Sequence, residues 1–389
     1  MRHHNSVFHD LQKHIPWRLF DRLVDEHKAD RRVRHLTTKG QFLALLFGQL
    51  SGASSLREIE AGLASQSARL YHAGGQCVAR STLADANARR PAALYGDLFA
   101  AMAAAAGRRM RRHLAETLVI LDATRLELSS SSAGWLKAQN GRRAVKLHVA
   151  YDAVANSPFD VAITSQRVND IVPARALPIE PGMTYVFDLA YYDYAWWAEL
   201  DASGCRFVTR LKTNTRLRII AEQPAPEAGN PGAGNILADR IGFLPERLAA
   251  SRQNPFADPV REVTVRIATG KVIRLVTNDL DAPASEIADL YKQRWQIELF
   301  FKWIKQNLKL RHFLGASENA VRIQLFVALI AYLLLRMAHA AQSAVVQPLA
   351  FVRLVRINLM HRRRIDQLIA PQIPPPRDQR QLTLNLSQT

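Results

Sequence analysis

The chain has 389 residues, a formal net charge of +18 and a sequence pI near 10.4. Its length favours two or three domains, and a hydrophobic content of 48% is enough for a sizeable core. The positive charge favours a polyanionic partner, either nucleic acid or an anionic membrane surface. Cys77 and Cys205 are the only cysteines, which excludes a disulfide framework or a thiolate zinc site and suits a reducing cytoplasm.

A membrane-spanning segment is not expected. The longest apolar run, Leu325 to Leu335, is about half as long as a bilayer span requires, so it predicts a buried helix. The residues before Val7 lack the apolar region of a signal peptide. Both features predict a cytoplasmic protein.

Residues 1–113 have the pattern of an all-helical region. Apolar residues recur at helical spacing around Phe8 and Phe42, and Ser55 and Thr82 each begin a capping box that predicts a helix start. The region ends in a basic cluster that predicts a solvated linker with phosphate contacts, made of Arg108, Arg109, Arg111, Arg112 and His113.

The two capped helices of this region have two interpretations. The second is followed by Asn87, Arg89 and Arg90, as in a helix-turn-helix with a recognition helix. A plain helical bundle with exposed arginines would have the same pattern. The residues alone leave both open.

From Leu118 the pattern changes to strands. The apolar run Leu118 to Leu121 predicts a central strand that delivers Asp122 at its end. The run 184–187 delivers Asp188 in the same way. Other strands are predicted at 145–151, 159–163 and 207–211, with a helix at 190–200.

Asp122 and Asp188 are the preferred candidate ligands for a metal ion, because each follows a fully apolar strand and ligands bind at the carboxyl ends of strands. Taken singly, such an aspartate is usually only a turn former. Lys146 and His148 are secondary candidates near this site. The competing acids are Glu127, Asp152, Asp160, Asp170 and Asp193.

Residues 212 to about 260 contain a cluster of prolines and glycines that predicts a loop. The runs 262–267 and 272–276 then alternate around Thr269-Gly270 and predict a β-hairpin. Ser285-Glu286 predicts the start of a helix. Beyond Met360, the basic run 361–364 and the prolines 374–376 predict a poorly ordered tail.

That helix contains Tyr291, Arg294, Glu298 and Lys305. On one continuous helix these side chains project from an arc about 60° wide, beside an apolar strip. A carboxylate there can hold a divalent metal while the cations contact phosphates. The simpler interpretation is an intrahelical ion pair between Arg294 and Glu298.

The Y-x2-R-x3-E-x6-K spacing resembles the signature of DDE-type bacterial insertion-sequence transposases. The run from Phe313 to Arg322 and the segments Asp122-Ala-Thr124 and Asp188-x-x-Tyr191 are also similar to that family. The resemblance implies a mixed α/β fold: a ribonuclease-H-like catalytic core with a β-rich insertion, preceded by an all-α DNA-binding domain. The implied domains are 1–113 (DNA-binding), 114–211 and 285–345 (core), 212–284 (insertion) and 346–389 (basic helix and tail).

The resemblance further implies a transposase that binds terminal inverted repeats, hydrolyses a phosphodiester and transfers the freed strand to target DNA. Asp122, Asp188 and Glu298 would be catalytic and would bind Mg²⁺, which Mn²⁺ can replace. Tyr291, Arg294 and Lys305 would contact double-stranded DNA. The implied state is a homodimer on DNA, in the cytoplasm and associated with the nucleoid, with no membrane partner.

Two features depart from the family pattern. Leu189-Ala190 stands where the family usually has Arg-Gly, and the insertion lacks tryptophan. One alternative is therefore a catalytically decayed protein that only occupies the repeats, and another is a ribonuclease-H-like nuclease without strand transfer. A membrane-surface protein is disfavoured because no basic amphipathic helix has a free apolar face.

Overall fold

The computed structural model describes residues 5–111, 117–128, 134–136, 138, 141–224, 236–246, 253–267, 269–308 and 313–369. The predicted basic cluster at 108–113 has no described side chains, and the predicted tail from 370 onward lies outside these residues.

The N-terminal region is helical, as predicted. Ser55 caps its helix by accepting from the Glu58 backbone N–H, which confirms the predicted helix start, while the Glu58 carboxylate accepts from the Ser54 backbone N–H. The Thr82 box is wrong, because the helix begins at Arg80 and Thr82 lies inside its first turn. The helices are α1 (Val7–Gln12), α2 (Trp17–Glu26), α3 (Thr38–Ser51), α4 (Leu56–Ser65), α5 (Ser67–Leu70), α6 (Arg80–Arg89) and α7 (Ala92–Arg111).

The end of α6 does not present the predicted DNA-reading residues. Asn87 is 3% exposed and accepts a 2.6 Å hydrogen bond from Gln41 Nε2. Arg90 is 6% exposed and donates to Gln41 Oε1 at 2.9 Å and to the carbonyls of Leu36 and Thr37. These two residues satisfy buried polar groups at the N-terminal end of α3, so their assignment to a recognition surface is wrong. Arg89 remains exposed.

The described residues form a nine-stranded sheet at the centre of the molecule, in the order β3-β2-β1-β4-β5-β9-β8-β7-β6. The first three strands are an antiparallel meander, and β4 and β5 run parallel to β1. This confirms the predicted ribonuclease-H-like arrangement. The strands are β1 (Leu118–Glu127), β2 (Ala144–Asp152), β3 (Ser157–Ser165), β4 (Thr184–Phe187), β5 (Arg206–Arg210), β6 (Arg218–Gln223), β7 (Ile236–Phe243), β8 (Val260–Arg266) and β9 (Val272–Thr277).

Strands β6 to β9 continue the same sheet, because β9 pairs antiparallel with β5. The predicted β8–β9 hairpin is confirmed, and Gly270 takes a φ of +81° in its turn. The loop predicted from 212 to about 260 is wrong for β6 and β7. The residues of β6 are mostly exposed at the sheet edge, so their sequence carries no clear apolar alternation.

Helices α8 (Ile171–Ala176) and α9 (Tyr194–Ala202) cover one face of the sheet. Helices α10 (Ala284–Gln293), α11 (Trp295–Asn307) and α12 (Glu318–Ala340) belong to the large hydrophobic cluster on the other. That cluster continues through α12 into the N-terminal helices α3, α6 and α7. Helix α12 has the length and hydropathy of a bilayer span, but 78% of its apolar window is buried within this core. The predicted buried helix is confirmed.

The C-terminal helix α13 (Pro348–Asn358) is followed by a segment that packs on α1. The backbone N–H groups of Phe8 and Val7 donate to the carbonyls of Leu359 and His361, at 2.8 and 3.1 Å. The expectation of a poorly ordered tail is therefore wrong for residues 361–369, whose backbone takes part in the fold.

Candidate active site

Asp122 and Asp188 lie side by side on adjacent parallel strands. The last registered pair of β1 and β4 is Leu121 with Phe187. Asp122 is the next residue of β1, and Asp188 directly follows the end of β4. Neighbouring strands are about 4.8 Å apart. The sequence predicted that Asp122 ends its strand. This is wrong, because β1 continues to pair with β2 as far as Glu127.

Strand alternation directs both aspartates toward the face covered by α11. Ile120 and Val186, two positions earlier, belong to the same hydrophobic cluster as the buried face of α11. On α11, Phe300 anchors this packing with its ring 5.3 Å from that of Tyr151 on β2. The helix thus places Glu298 beside a cavity of about 400 Å³ that Asp122, Lys302 and Lys305 also line.

The helix that carries the four signature residues is broken, which corrects the prediction of one continuous helix. Tyr291 lies in α10, Glu298 and Lys305 lie in α11, and Arg294 is the residue between the two helices. The N–H of Arg294 donates to the Tyr291 carbonyl three residues earlier, at 3.1 Å. This tighter, 3₁₀-type turn still keeps Arg294 near Tyr291, with the guanidinium carbon 5.7 Å from the ring centroid.

Arg294 joins two of the candidate ligands. Its Nη2 lies 2.5 Å from Glu298 Oε1 and its Nη1 lies 3.5 Å from Asp122 Oδ2. The predicted intrahelical ion pair is therefore present, although it crosses the junction of two helices. The Nε atom is buried and has no hydrogen-bond partner among the described residues.

The pKa of Asp122 is raised to about 6, mainly by burial and also by the nearby charges of Asp188 and Glu298. The Ala123 backbone N–H, which donates to Asp122 Oδ1 at 2.8 Å, and the Arg294 guanidinium act in the opposite direction. Three negative charges thus interact at this site. Such a carboxylate group favours the binding of a cation.

The donor chemistry suits Mg²⁺, which prefers oxygen ligands. Within the described part of the chain, no three His, Cys, Asp or Glu side chains are close enough to hold one ion. The convergence of all three acids on a shared ion is thus not seen. One or two carboxylates, with waters and substrate phosphates, are enough for each Mg²⁺ ion. Any two of Asp122, Asp188 and Glu298 therefore suit the binding of one ion.

Lys146 and His148 lie on the opposite face of the sheet, since His148 pairs with Ala123 and not with Asp122. Lys146 forms a 2.8 Å ion pair with Asp170, and His148 shares a 2.8 Å hydrogen bond with Thr164. Burial lowers the pKa of His148 to about 4. Their candidacy for this site is therefore wrong.

Arg210 lies near this site, and the sequence pattern did not indicate it. Val186 pairs with Val208 between β4 and β5, and two residues further come Asp188 and Arg210. The charge of Arg210 also acts on Tyr291, whose pKa is raised mainly by burial. No sequence motif distinguishes an arginine at the end of a strand, so only the strand register shows that Arg210 lies beside Asp188.

The Leu189-Ala190 departure lies in a short 3₁₀ turn after β4. Asp188 caps this turn by accepting from the Ala190 backbone N–H at 2.8 Å. Any residue except proline supplies that donor, so the departure leaves the placement of Asp188 intact.

A ribonuclease-H-like sheet with acids on adjacent strands and a third acid on a covering helix defines a class of enzymes that act on nucleic-acid phosphodiesters. Residues 113–334 match the family described as the transposase DDE domain, and residues 3–76 match a domain of unknown function. The chain belongs to the DDE-domain transposases. It is thus an enzyme of DNA transposition, and this domain generally uses divalent metal ions.

Two sequence relatives agree with this assignment. A Sinorhizobium fredii protein named as transposase y4zB is 41% identical over 294 residues, which is 76% of this chain and 80% of that protein. A Geobacillus stearothermophilus protein named as a transposase of insertion sequence element IS5377 is 32% identical over 241 residues, 61% of this chain and 62% of that protein. A solved piggyBac transposase synaptic complex with hairpin DNA aligns with 95% of this chain and 83% of its own, at 11% identity and a TM-score of 0.46.

Proposed function

We propose that this transposase cuts DNA at the terminal inverted repeats of an insertion sequence and joins the freed 3′ ends to target DNA. Asp122, Asp188 and Glu298 are its catalytic, metal-binding acids. The observation that carries this proposal is the adjacency of Asp122 and Asp188 in the parallel pair β1–β4, with Glu298 joined to Asp122 through Arg294.

Mg²⁺, or Mn²⁺ in its place, supplies activation of the attacking oxygen and stabilisation of the leaving oxygen in a two-metal mechanism. The three acids bind and orient the metals. Rigid elements support them: β1 and β4 are buried central strands, and the apolar face of α11 fixes Glu298.

The signature cations contact the phosphates beside the scissile bond. This role of Arg294 is supported by its buried Nε atom, a donor that no described residue uses. Lys305 lines the same cavity as Asp122 and Glu298. Tyr291 borders Arg294 and hydrogen-bonds a phosphate or packs on a sugar, and Arg210 adds a further phosphate contact.

The partners are double-stranded DNA of the inverted repeats and of the target. The charge of +18 supports this, because cationic proteins gain affinity by releasing counterions from DNA. Joining two element ends requires a homodimer on DNA, in the cytoplasm and at the nucleoid. Residues 1–113 bind the repeats, 114–211 and 285–345 form the catalytic core, 212–284 form the insertion, and 346–389 complete the chain.

A cleavage assay on DNA that carries the element's inverted repeats tests the proposal. We expect divalent-metal-dependent nicking and joined products from the wild type, and neither from Asp122→Asn, Asp188→Asn or Glu298→Gln. Glu127→Gln, at an exposed acid on the same strand, is the matched control and should cleave normally. Salt-sensitive binding without cleavage would identify a decayed protein, and cut ends without joined products would identify a nuclease. Either outcome would overturn the proposal.

A further inference from the structure

The C-terminal end of α11 is held by side chains from two distant parts of the chain. Arg356 of α13 donates from Nη2 to the Asn307 carbonyl at 2.8 Å. Gln49 of α3 donates from Nε2 to the next carbonyl, that of Leu308, at 2.5 Å. Both contacts span long sequence separations, and neither residue belongs to the signature.

Arg356 also serves a second helix end. Its Nε donates to the carbonyl of Leu50, near the C-terminus of α3, at 3.3 Å. The last carbonyls of a helix lack partners within the helix and carry partial negative charge. One guanidinium therefore fixes the C-terminal ends of α3 and α11 to each other. Burial lowers the pKa of Arg356 from its usual value, which indicates that the group is partly withdrawn from water.

We propose that Arg356 and Gln49 are positioning residues that set the location of α11 against the sheet, and through it that of Glu298 and Lys305. This inference rests on the proposed function. Asn307 and Leu308 follow Lys305 by less than one helical turn, so a shift of this end moves Lys305 directly. The other end of α11 meets α10 at Arg294, whose guanidinium also faces Asp122, so the C-terminal anchor adds a second fixed point at the opposite end of the helix.

The anchor also connects three regions of the chain: an N-terminal helix, the catalytic helix and the C-terminal helix. Removal of a group that hydrogen-bonds and orients a metal ligand typically changes activity or metal affinity by about 10- to 100-fold. Small displacements of a catalytic group have a similar cost of about 100-fold.

The test uses the full-length protein with Arg356→Ala, Arg356→Lys and Gln49→Met. We expect Arg356→Ala to lower kcat for repeat cleavage about 10- to 100-fold, with a smaller effect on KM and on the Kd for repeat DNA. Arg356→Lys keeps the charge but reaches fewer carbonyls, so it should restore part of kcat. Gln49→Met keeps the side-chain length without the donor and should act in the same direction. Arg353→Ala, at an exposed position of the same helix, is the control and should leave kcat at the wild-type value.

Hydrogen exchange provides a readout that does not need activity. Amides at 303–308 should exchange faster in Arg356→Ala and Gln49→Met than in the wild type, whereas those of α12 should not change. A wild-type kcat together with unchanged exchange in Arg356→Ala and Gln49→Met would overturn the proposal that these residues position α11. A wild-type protein that does not cleave would instead overturn the proposed function, and the exchange data would still decide whether the anchor exists.

Discussion

The Nη2 atom of Arg294 lies 2.5 Å from Oε1 of Glu298, in an ion pair that crosses the junction between α10 and α11. An exposed pair at this spacing stabilises a helix by only a few tenths of a kcal/mol. Here the Arg294 side chain is 18% exposed and its other terminal nitrogen faces Asp122. The contact thus connects the helix junction to the acids on the sheet.

Removal of this cation should impair cleavage more than folding. We expect Arg294→Gln to lower the single-turnover cleavage rate about 100-fold or more, as when a preorganised charge-stabilising donor is lost. Arg294→Lys keeps the charge but not the two-pronged geometry, so its rate should fall between those of Arg294→Gln and the wild type. Cleavage by Arg294→Gln at the wild-type rate would contradict the assigned role.

The buried carboxylate of Asp122 should make stability depend on pH. Its pKa is raised from 3.8 to about 6 in the folded protein, so the folded state is favoured while the group is protonated. That stability is fully present below about pH 4 and is lost as pH rises through about 6. Asp122→Asn should therefore be more stable than the wild type at pH 7.5, by up to about 3 kcal/mol, and similar to it at pH 4.

Urea unfolding in EDTA from pH 4 to 8 measures this difference. A variant that is no more stable than the wild type at any pH would show that Asp122 is not destabilised by its surroundings. The stabilised variant should at the same time be inactive, as expected where stability is sacrificed for function.

The buried ion pair of Arg261 with Asp239 should be essential for the sheet extension. Both side chains are 3% exposed, with Nη2 2.6 Å from Oδ2. Arg261 also donates to the carbonyls of Leu280 and Ala282, ahead of α10. Asp239→Ala should lower the free energy of unfolding by about 3–5 kcal/mol, because it leaves a buried guanidinium without its counter-ion.

Chemical denaturation of Asp239→Ala and of the double variant Asp239→Leu with Arg261→Met separates two effects: the loss of the ion pair and the burial of an unpaired charge. The apolar pair should recover much of the loss, since it removes the uncompensated charge. If Asp239→Ala is as stable as the wild type, the ion pair is not essential for the sheet extension.

Adjacent arginines at the end of α6 should have different effects. Arg90→Ala removes a buried donor to Gln41 and to two backbone carbonyls, so we expect a loss of about 2–3 kcal/mol in stability. Arg89 is exposed and pairs loosely with Asp85 at 3.8 Å. Arg89→Ala should leave stability nearly unchanged and weaken DNA binding at low salt if this surface contacts phosphates.

Thermal unfolding and DNA binding at two salt concentrations, measured on both variants, distinguish these roles. Equal destabilisation by Arg89→Ala and Arg90→Ala would contradict the buried network.

The sequence predicted those elements whose apolar pattern reflects their burial. Strands β1 and β4 are covered on both faces, so their continuous apolar runs indicated both strands and the aspartates that follow. Strand β6 lies exposed at the sheet edge and was not predicted. The boundary between α10 and α11 has neither glycine nor proline, and Arg294 has nearly helical angles of φ −51° and ψ −28°. No residue pattern marks such a turn.

Polar residues were harder to assign than strands. Arg90 and Arg89 are neighbours of the same type, yet one is a buried structural donor and the other is exposed, because helix packing and not residue type decides the difference. Arg210 joined the site only through its register beside β4. Asp122 and Asp188 were predicted as metal ligands because each follows an apolar strand, and the family resemblance selects the same two residues.

A metal-specificity switch at Asp188 tests the central claim most directly. A cysteine thiolate is a poor ligand for Mg²⁺ but suits softer metals. Asp188→Cys should therefore fail to cleave repeat DNA in Mg²⁺ and regain cleavage in Mn²⁺, whereas Asp188→Ala should be inactive in both. Cleavage by Asp188→Cys in Mg²⁺ at the wild-type rate would contradict metal binding by this side chain.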